Sequence, residues 1–149
     1  MTKVIVHCSD SRWGNAATIT KWHVVERGWV TIGYHYVILN GYLSKFKFHF
    51  LYDGNIETGR PLDDDGDMEM DEKGAHAFGY NSAVGICLIG LSGDFSQLQI
   101  GSLKVLIDRL RAQFGEIKVL QHSDVDHKKP YCAGLTTVQL EELNLLNIH

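Results

Sequence analysis

The sequence predicts an α/β domain: a central mixed β-sheet of about five to six strands flanked by helices. Three observations predict it. Short, apolar and largely β-branched runs at Lys3–Cys8, Val84–Ile89 and Ile117–Leu120 have the length of buried strands. Each is followed, after a polar connection, by a segment with helical periodicity. The chain is 149 residues long and carries no internal repeat and no linker, so it reads as a single domain over residues 1–149.

In order, Lys3–Cys8 is a strand ending at His7 and Cys8. Thr18 can cap a helix that runs to about Arg27, with Ile19, Trp22 and Val25 on one face and Gly28 as the stop. Tyr34–Leu39 and Gly54–Gly59 read as an antiparallel pair. The segment between them, Asn40–Tyr52, is longer than a tight hairpin needs, and mixes aromatic with basic residues; it is expected to be a loop. Asp63–Glu72 is acidic and reads as a solvated surface loop. Val84–Ile89 is almost continuously apolar, as a central strand covered on both faces must be. Ser96 and Gln99 have capping-box spacing ahead of Leu103, Leu106, Ile107, Leu110 and Phe114, with Gly115 as the stop. Ile117–Leu120 delivers His122 at its end, and Thr136 with Gln139 repeats the capping-box spacing before a final Leu-rich helix. A strand–helix alternation of this kind suits a mixed sheet with helices on its faces.

Bulk properties exclude several function classes. The formal charge is −4, so no overall basic field favours nucleic acid or an anionic membrane as partner. No apolar run approaches the ~20 residues that span a bilayer, so membrane insertion is not expected. The Met1–His7 segment meets a charge at Lys3 and shows no signal-peptide core, which places the product first in the cytoplasm. Three widely spaced cysteines, Cys8, Cys87 and Cys132, argue against a disulfide scaffold.

Eight histidines are a mild pointer to metal or proton chemistry. His7 sits in Val-His-Cys-Ser and His122 in Gln-His-Ser-Asp-Val, with Cys132 ten residues further on. Two imidazoles and a thiolate make a plausible zinc set, and three protein ligands leave one tetrahedral position open. The spacing alone fits equally a satisfied core histidine and an inert buried thiol. Strand ends are nevertheless where open α/β sites form, and both histidines fall at strand ends.

Taken in order, further segments surround this triplet: Trp22-His23 followed by Gly28-Trp29, Gly33-Tyr34-His35-Tyr36, and Asp53-Gly54 leading to Glu57-Thr58-Gly59-Arg60-Pro61. Gly74-Ala75-His76-Ala77-Phe78-Gly79-Tyr80-Asn81 and Gly85-Ile86-Cys87-Leu88-Ile89-Gly90 follow. Together with His122-Ser123-Asp124-Val125 and Cys132 they resemble the zinc-dependent N-acetylmuramoyl-L-alanine amidases. That amidase type 2 fold family includes short phage endolysins and the animal peptidoglycan recognition proteins. The likeness runs from about residue 4 to residue 140 and points most to the short, one-domain phage endolysins.

The resemblance implies a peptidoglycan-recognition-protein-like fold and one Zn2+ held by His7, His122 and Cys132. It implies that Tyr34 faces the metal from a neighbouring strand and donates to a developing oxyanion. His35 and His76 either line the substrate cleft or hydrogen-bond a ligand histidine; His23 reads as structural. Family enzymes often carry a lysine two residues before the last ligand, where this chain has Pro130; Lys129, one place further back, is the candidate to fill that role. The implied substrate is the amide between N-acetylmuramic acid and L-alanine in peptidoglycan, cut by a monomeric protein that waits in the host cytoplasm and then acts on the cell wall. Alternatives are a non-catalytic peptidoglycan-binding module, a phage regulator that binds an RNA polymerase, and a cysteine-nucleophile hydrolase. The presence of Cys132 favours catalysis, because non-catalytic recognition members typically lack that ligand.

Overall fold

The computed structural model describes residues 2–28, 32–62, 83–126, 128 and 131–145. The expected loop Asp63–Glu72, His76, Lys129 and Pro130 lie outside the described residues.

The apolar runs form strands where the sequence places them. β1 is Thr2–Cys8, β4 is Val84–Leu88 and β5 is Ile117–Gln121. With β2 (Tyr36–Ser44) and β3 (Lys47–Thr58) they make one five-stranded sheet in the order β3-β2-β4-β1-β5. β4 is central and every one of its residues is buried, which is why its sequence shows no polar alternation. β1 runs parallel to both β4 and β5, β2 is parallel to β4, and among the described residues only the β2–β3 pair is antiparallel. The sheet is therefore mixed, and the carboxyl ends of β1, β2, β4 and β5 share one edge.

Alternation along β1 sends Val4, Val6 and Cys8 into the core beneath α2 (Gln97–Phe114), while Ile5 and His7 point to the other face. α2 buries Ile100, Leu103, Leu106, Ile107 and Leu110 at helical spacing, each contributing about 1.5 to 3 kcal/mol. Its capping box forms as the spacing predicts: Ser96 Oγ accepts from Gln99 N–H at 3.1 Å, and Gln99 Oε1 accepts from Ser96 N–H at 2.9 Å. The Gln99 amide also donates to the carbonyls of Ile38 (3.1 Å) and Ile89 (2.8 Å), so one buried side chain ties the helix start to β2 and to the exit of β4. Gly115 ends the helix, and Thr136 caps α4 (Thr137–Glu142) through a second capping box.

Two local expectations change. The first helix, α1 (Ala16–Lys21), is capped by Asn15 rather than Thr18: Asn15 Oδ1 accepts from the Thr18 amide at 2.8 Å and from its hydroxyl at 2.9 Å. It then widens into a π-helical stretch over Trp22–Glu26. The wider turn rotates the buried face, so His23 goes inside while Val25 is 71% exposed.

The second change is larger. Asn40–Tyr52 is not a loop but the outer half of a long β-hairpin, turning at Lys45 and Phe46. Phe46, Phe48 and Phe50 alternate with Lys47 and His49, which is strand periodicity. Register shifts interrupt the pairing at three places between Ile38 and Ser44. Gly41 fits one of them because its φ is +92° and a Cβ there would stand 2.5 Å from Phe48 Cε1.

Candidate metal centre

Parallel register assembles the site. Val6 pairs with Gln121 and His7 with Cys87, so the residues just beyond, His7 on β1 and His122 after β5, come side by side at the sheet edge. His122 opens the short helix α3 (His122–Val125). Both histidines are buried, and their ring centroids lie 4.4 Å apart. Cys132 arrives from a turn held in two ways: its carbonyl accepts from Ser123 N–H at 2.5 Å, and its Sγ accepts from Cys8 N–H at 3.1 Å. Gln121 Oε1 takes the Leu135 amide at 2.9 Å and fixes the chain beyond the turn.

Among the described residues, His7, His122 and Cys132 bring one ligand atom each to within 4.8 Å of one another. Two imidazole nitrogens and a sulfur suit a borderline-soft divalent ion such as zinc. Tetrahedral zinc bonds of ~2.0 to ~2.3 Å separate ligand atoms by roughly 3.5 Å, so an inward movement of about one ångström closes the set. The residues present therefore fit the ion. Between the two neighbouring thiols, a shared hydrogen bond lowers the pKa of Cys8 and, with burial, raises that of Cys132. A coordinated cation would reverse this order, because it deprotonates a ligand thiol outright.

Tyr34 reaches the site by a route the sequence did not indicate. It precedes β2 instead of lying on it, and β4 separates β2 from β1. Its ring crosses above β4 to stand 5.0 Å from the His7 ring, near the thiol of Cys87, the register partner of His7. Burial first, and the nearby Cys87 thiol second, hold the Tyr34 pKa well above the usual 10. The phenol thus keeps its proton at neutral pH. His23 packs on the other side of Tyr34 at 5.4 Å, and its Nδ1 accepts the Gly33 amide at 2.8 Å. Burial, with Arg27 next, pushes the His23 pKa down to about 4, so the ring is a neutral support.

His35 does not join the metal set. It is 1% exposed; its Nδ1 accepts from Gly85 N–H at 2.9 Å and its own N–H donates to the Gly85 carbonyl at 2.9 Å, pinning the start of β2 to β4. Asp126 is a member that sequence reasoning passed over: its Oδ2 lies 3.6 Å from His122 Nε2. The signal was present as the i,i+4 spacing from His122. Cys87, the neighbour of Tyr34, gave no signal beyond its place in an apolar strand.

No protein-family model matches the chain. It is 30% identical over 138 residues to the endolysin of Klebsiella phage KP32, covering 85% of this chain and 78% of that protein. Among solved structures it is similar to the N-acetylmuramoyl-L-alanine amidase LysC from Clostridium intestinale URNW, with TM-score 0.73, 25% identity, and coverage of 97% of this chain and 85% of that one. The likeness to Drosophila PGRP-LB has TM-score 0.71 and 25% identity, covering 99% of this chain and 85% of that one. Fold, strand-end geometry and these likenesses agree: the chain belongs to the phage endolysins built on the amidase type 2, peptidoglycan-recognition-protein fold.

Proposed function

We propose that this endolysin is a zinc-dependent N-acetylmuramoyl-L-alanine amidase that opens the cell wall for phage release. The observation that carries the reading is the convergence of His7, His122 and Cys132 on one buried strand edge, with ligand atoms within 4.8 Å. His7, His122 and Cys132 would hold the ion. Bound there, zinc would act as a Lewis acid towards the scissile carbonyl and acidify water at its open position.

The chain's own residues do the rest. Asp126, 3.6 Å from Nε2 of His122, favours through its charge the N–H at that nitrogen, so that Nδ1 would be the atom turned to the ion. Tyr34, protonated and packed at a tilt against His7, offers an O–H to negative charge developing on the substrate's carbonyl oxygen. His23 packs against that phenol ring, and the buried Cys87 thiol beside it helps to keep the hydroxyl protonated. Lys129 as a second donor and His76 as a wall of the cleft belong to the same proposal. His35, at 1% exposure, serves by holding Gly85 under the site rather than by touching substrate. No helix among the described residues is long and apolar enough to cross a membrane.

Purified protein loaded with zinc should release stem peptides with a free N-terminal L-alanine from bacterial sacculi, read by mass spectrometry of the digest. Chelation should stop the release and zinc should restore it. Zinc-loaded protein that leaves the lactyl amide intact would overturn the proposal.

A further inference from the structure

The outer hairpin and the loop after β4 border a half-open cavity of about 520 Å3, lined among others by Arg12, Tyr42, Lys45, Phe48, Asp53 and Asp94. That volume lies within the ~300 to ~1,000 Å3 of small-molecule sites. The metal set plays no part in its walls, and three features define what it would take.

One wall is aromatic. Tyr42 and Phe48 are cross-strand partners whose rings stand 5.1 Å apart at 52°. Both remain exposed, at 38% and 47%, so this π surface is not spent on the protein's own core. The polar rim is balanced: Arg12 and Lys45 against Asp53 and Asp94. Asp53 already accepts from Ser96 Oγ at 2.5 Å, which fixes its carboxylate. A rim of equal and opposite charges leaves no surplus for a strongly anionic or cationic ligand, and suits a neutral one rich in hydroxyl and amide groups.

The third feature is position. The loop after β4 walls the cavity through Gly90, Leu91 and Asp94. The same loop carries the turn of Cys132: Gly93 N–H donates to the Ala133 carbonyl at 3.0 Å, and Ser92 Oγ donates to the Tyr131 carbonyl. Gly90 N–H also donates at 3.0 Å to Ser9 Oγ, two residues beyond His7. One loop thus has the cavity on one side and the metal corner on the other.

We propose that this cavity is a saccharide subsite that takes an N-acetylated hexosamine ring of the glycan strand. The apolar C–H face of the pyranose lies on Tyr42 and Phe48, and its hydroxyl and acetamido groups meet Arg12, Asp53 and Asp94. The inference rests on the peptidoglycan reading above and adds to it a grip on the glycan distinct from the metal corner.

The test uses the whole chain and a probe that has no lactyl amide and no peptide, the tetramer of N-acetylglucosamine. Calorimetric titration should give a Kd of about 1 mM or tighter. Backbone amide signals of Arg12, Tyr42 and Gly90 should move with it in NMR spectra. Tyr42→Ala and Phe48→Ala should each weaken binding about tenfold, while loss of their ring pair lowers the thermal midpoint by only a few °C. No binding at about 10 mM tetramer, or equal binding by wild type and both variants, overturns the subsite. So does tighter binding of an acidic stem peptide that Arg12→Gln abolishes while Phe48→Ala does not. Cleavage plays no part in the titration. A protein that binds the tetramer but leaves the amide uncut keeps the subsite and loses the amidase reading; one that cuts the amide but ignores the tetramer does the reverse.

Discussion

The metal corner and the outer β2–β3 hairpin rise from the same edge of one sheet, yet they are built by opposite means. At the corner, parallel register places His7 beside His122, and each further group is held from two sides: Cys132 by Cys8 and Ser123, Tyr34 by His7 and His23. The hairpin leaves the sheet after the Ile38–Leu88 pair and continues to Ser44, with shifted register and its aromatic rings in water. A ligand set needs fixed geometry, and a buried, fully bonded strand end supplies it. A surface that meets a large polymer needs reach and exposed rings, and an antiparallel ribbon supplies those at little cost to the core.

The sharpest way to break the contrast is to remove a ligand. Cys132→Ala should lose bound zinc and reduce amide hydrolysis by roughly 10³-fold or more, measured by metal content and by released L-alanine termini. The fold should survive, because Cys132 is only partly buried and its carbonyl bond to Ser123 belongs to the backbone. Full zinc content in this variant would show that the corner is not the metal site.

Tyr34→Phe sharpens the same point one step out from the ion. It keeps the ring against His7 and deletes only the hydroxyl. Turnover should fall about 10²-fold with zinc content unchanged, the loss expected of one oxyanion donor. A rate unchanged within a factor of two would reduce Tyr34 to packing.

The corner was legible in the sequence because its chemistry sits in short motifs at strand ends, and strand ends are what apolar runs reveal. His7, His122 and Cys132 could be named from spacing and family likeness, and the capping boxes at Ser96 and Thr136 form as their spacing predicts. The routes of tertiary links were not legible, even where the resemblance implies the contact, as it does for Tyr34. Tyr34 reaches His7 across β4, a contact that depends on strand order and not on sequence neighbourhood. Val25 looked core-facing at a period of 3.6, and the π-helical stretch turned it outward in favour of His23. The hairpin misled for a simpler reason: its length suggested a loop, although Phe46, Phe48 and Phe50 already alternated as a strand does.

His23 gives a smaller effect, in stability rather than rate. Its folded pKa of about 4 lies below the ~6.5 of an unfolded histidine, so the unfolded chain binds the extra proton between those values. The neutral ring's contribution is therefore complete above about pH 6.5 and is lost as pH falls towards 4. Urea unfolding at pH 7.5 and at pH 5.0 should differ by about 2 kcal/mol on this account. His23→Asn keeps an acceptor for the Gly33 amide and should remove that share of the pH dependence. Wild type and variant with the same pH slope would show that His23 does not carry it.

The smallest effect is expected at the hairpin tip. Phe46 is 89% exposed, and its ring lies 5.5 Å from the Lys45 ammonium, an exposed cation–π pair of about 0.5 kcal/mol. Phe46→Ser should therefore move the thermal midpoint by no more than about 2 °C, where substitution of a buried corner residue would move it several times as far. The comparison depends on the tip being free in solution. A drop of more than about 5 °C that grows with protein concentration would mean that a second copy covers the tip, and the hairpin would then be an assembly element rather than an open arm.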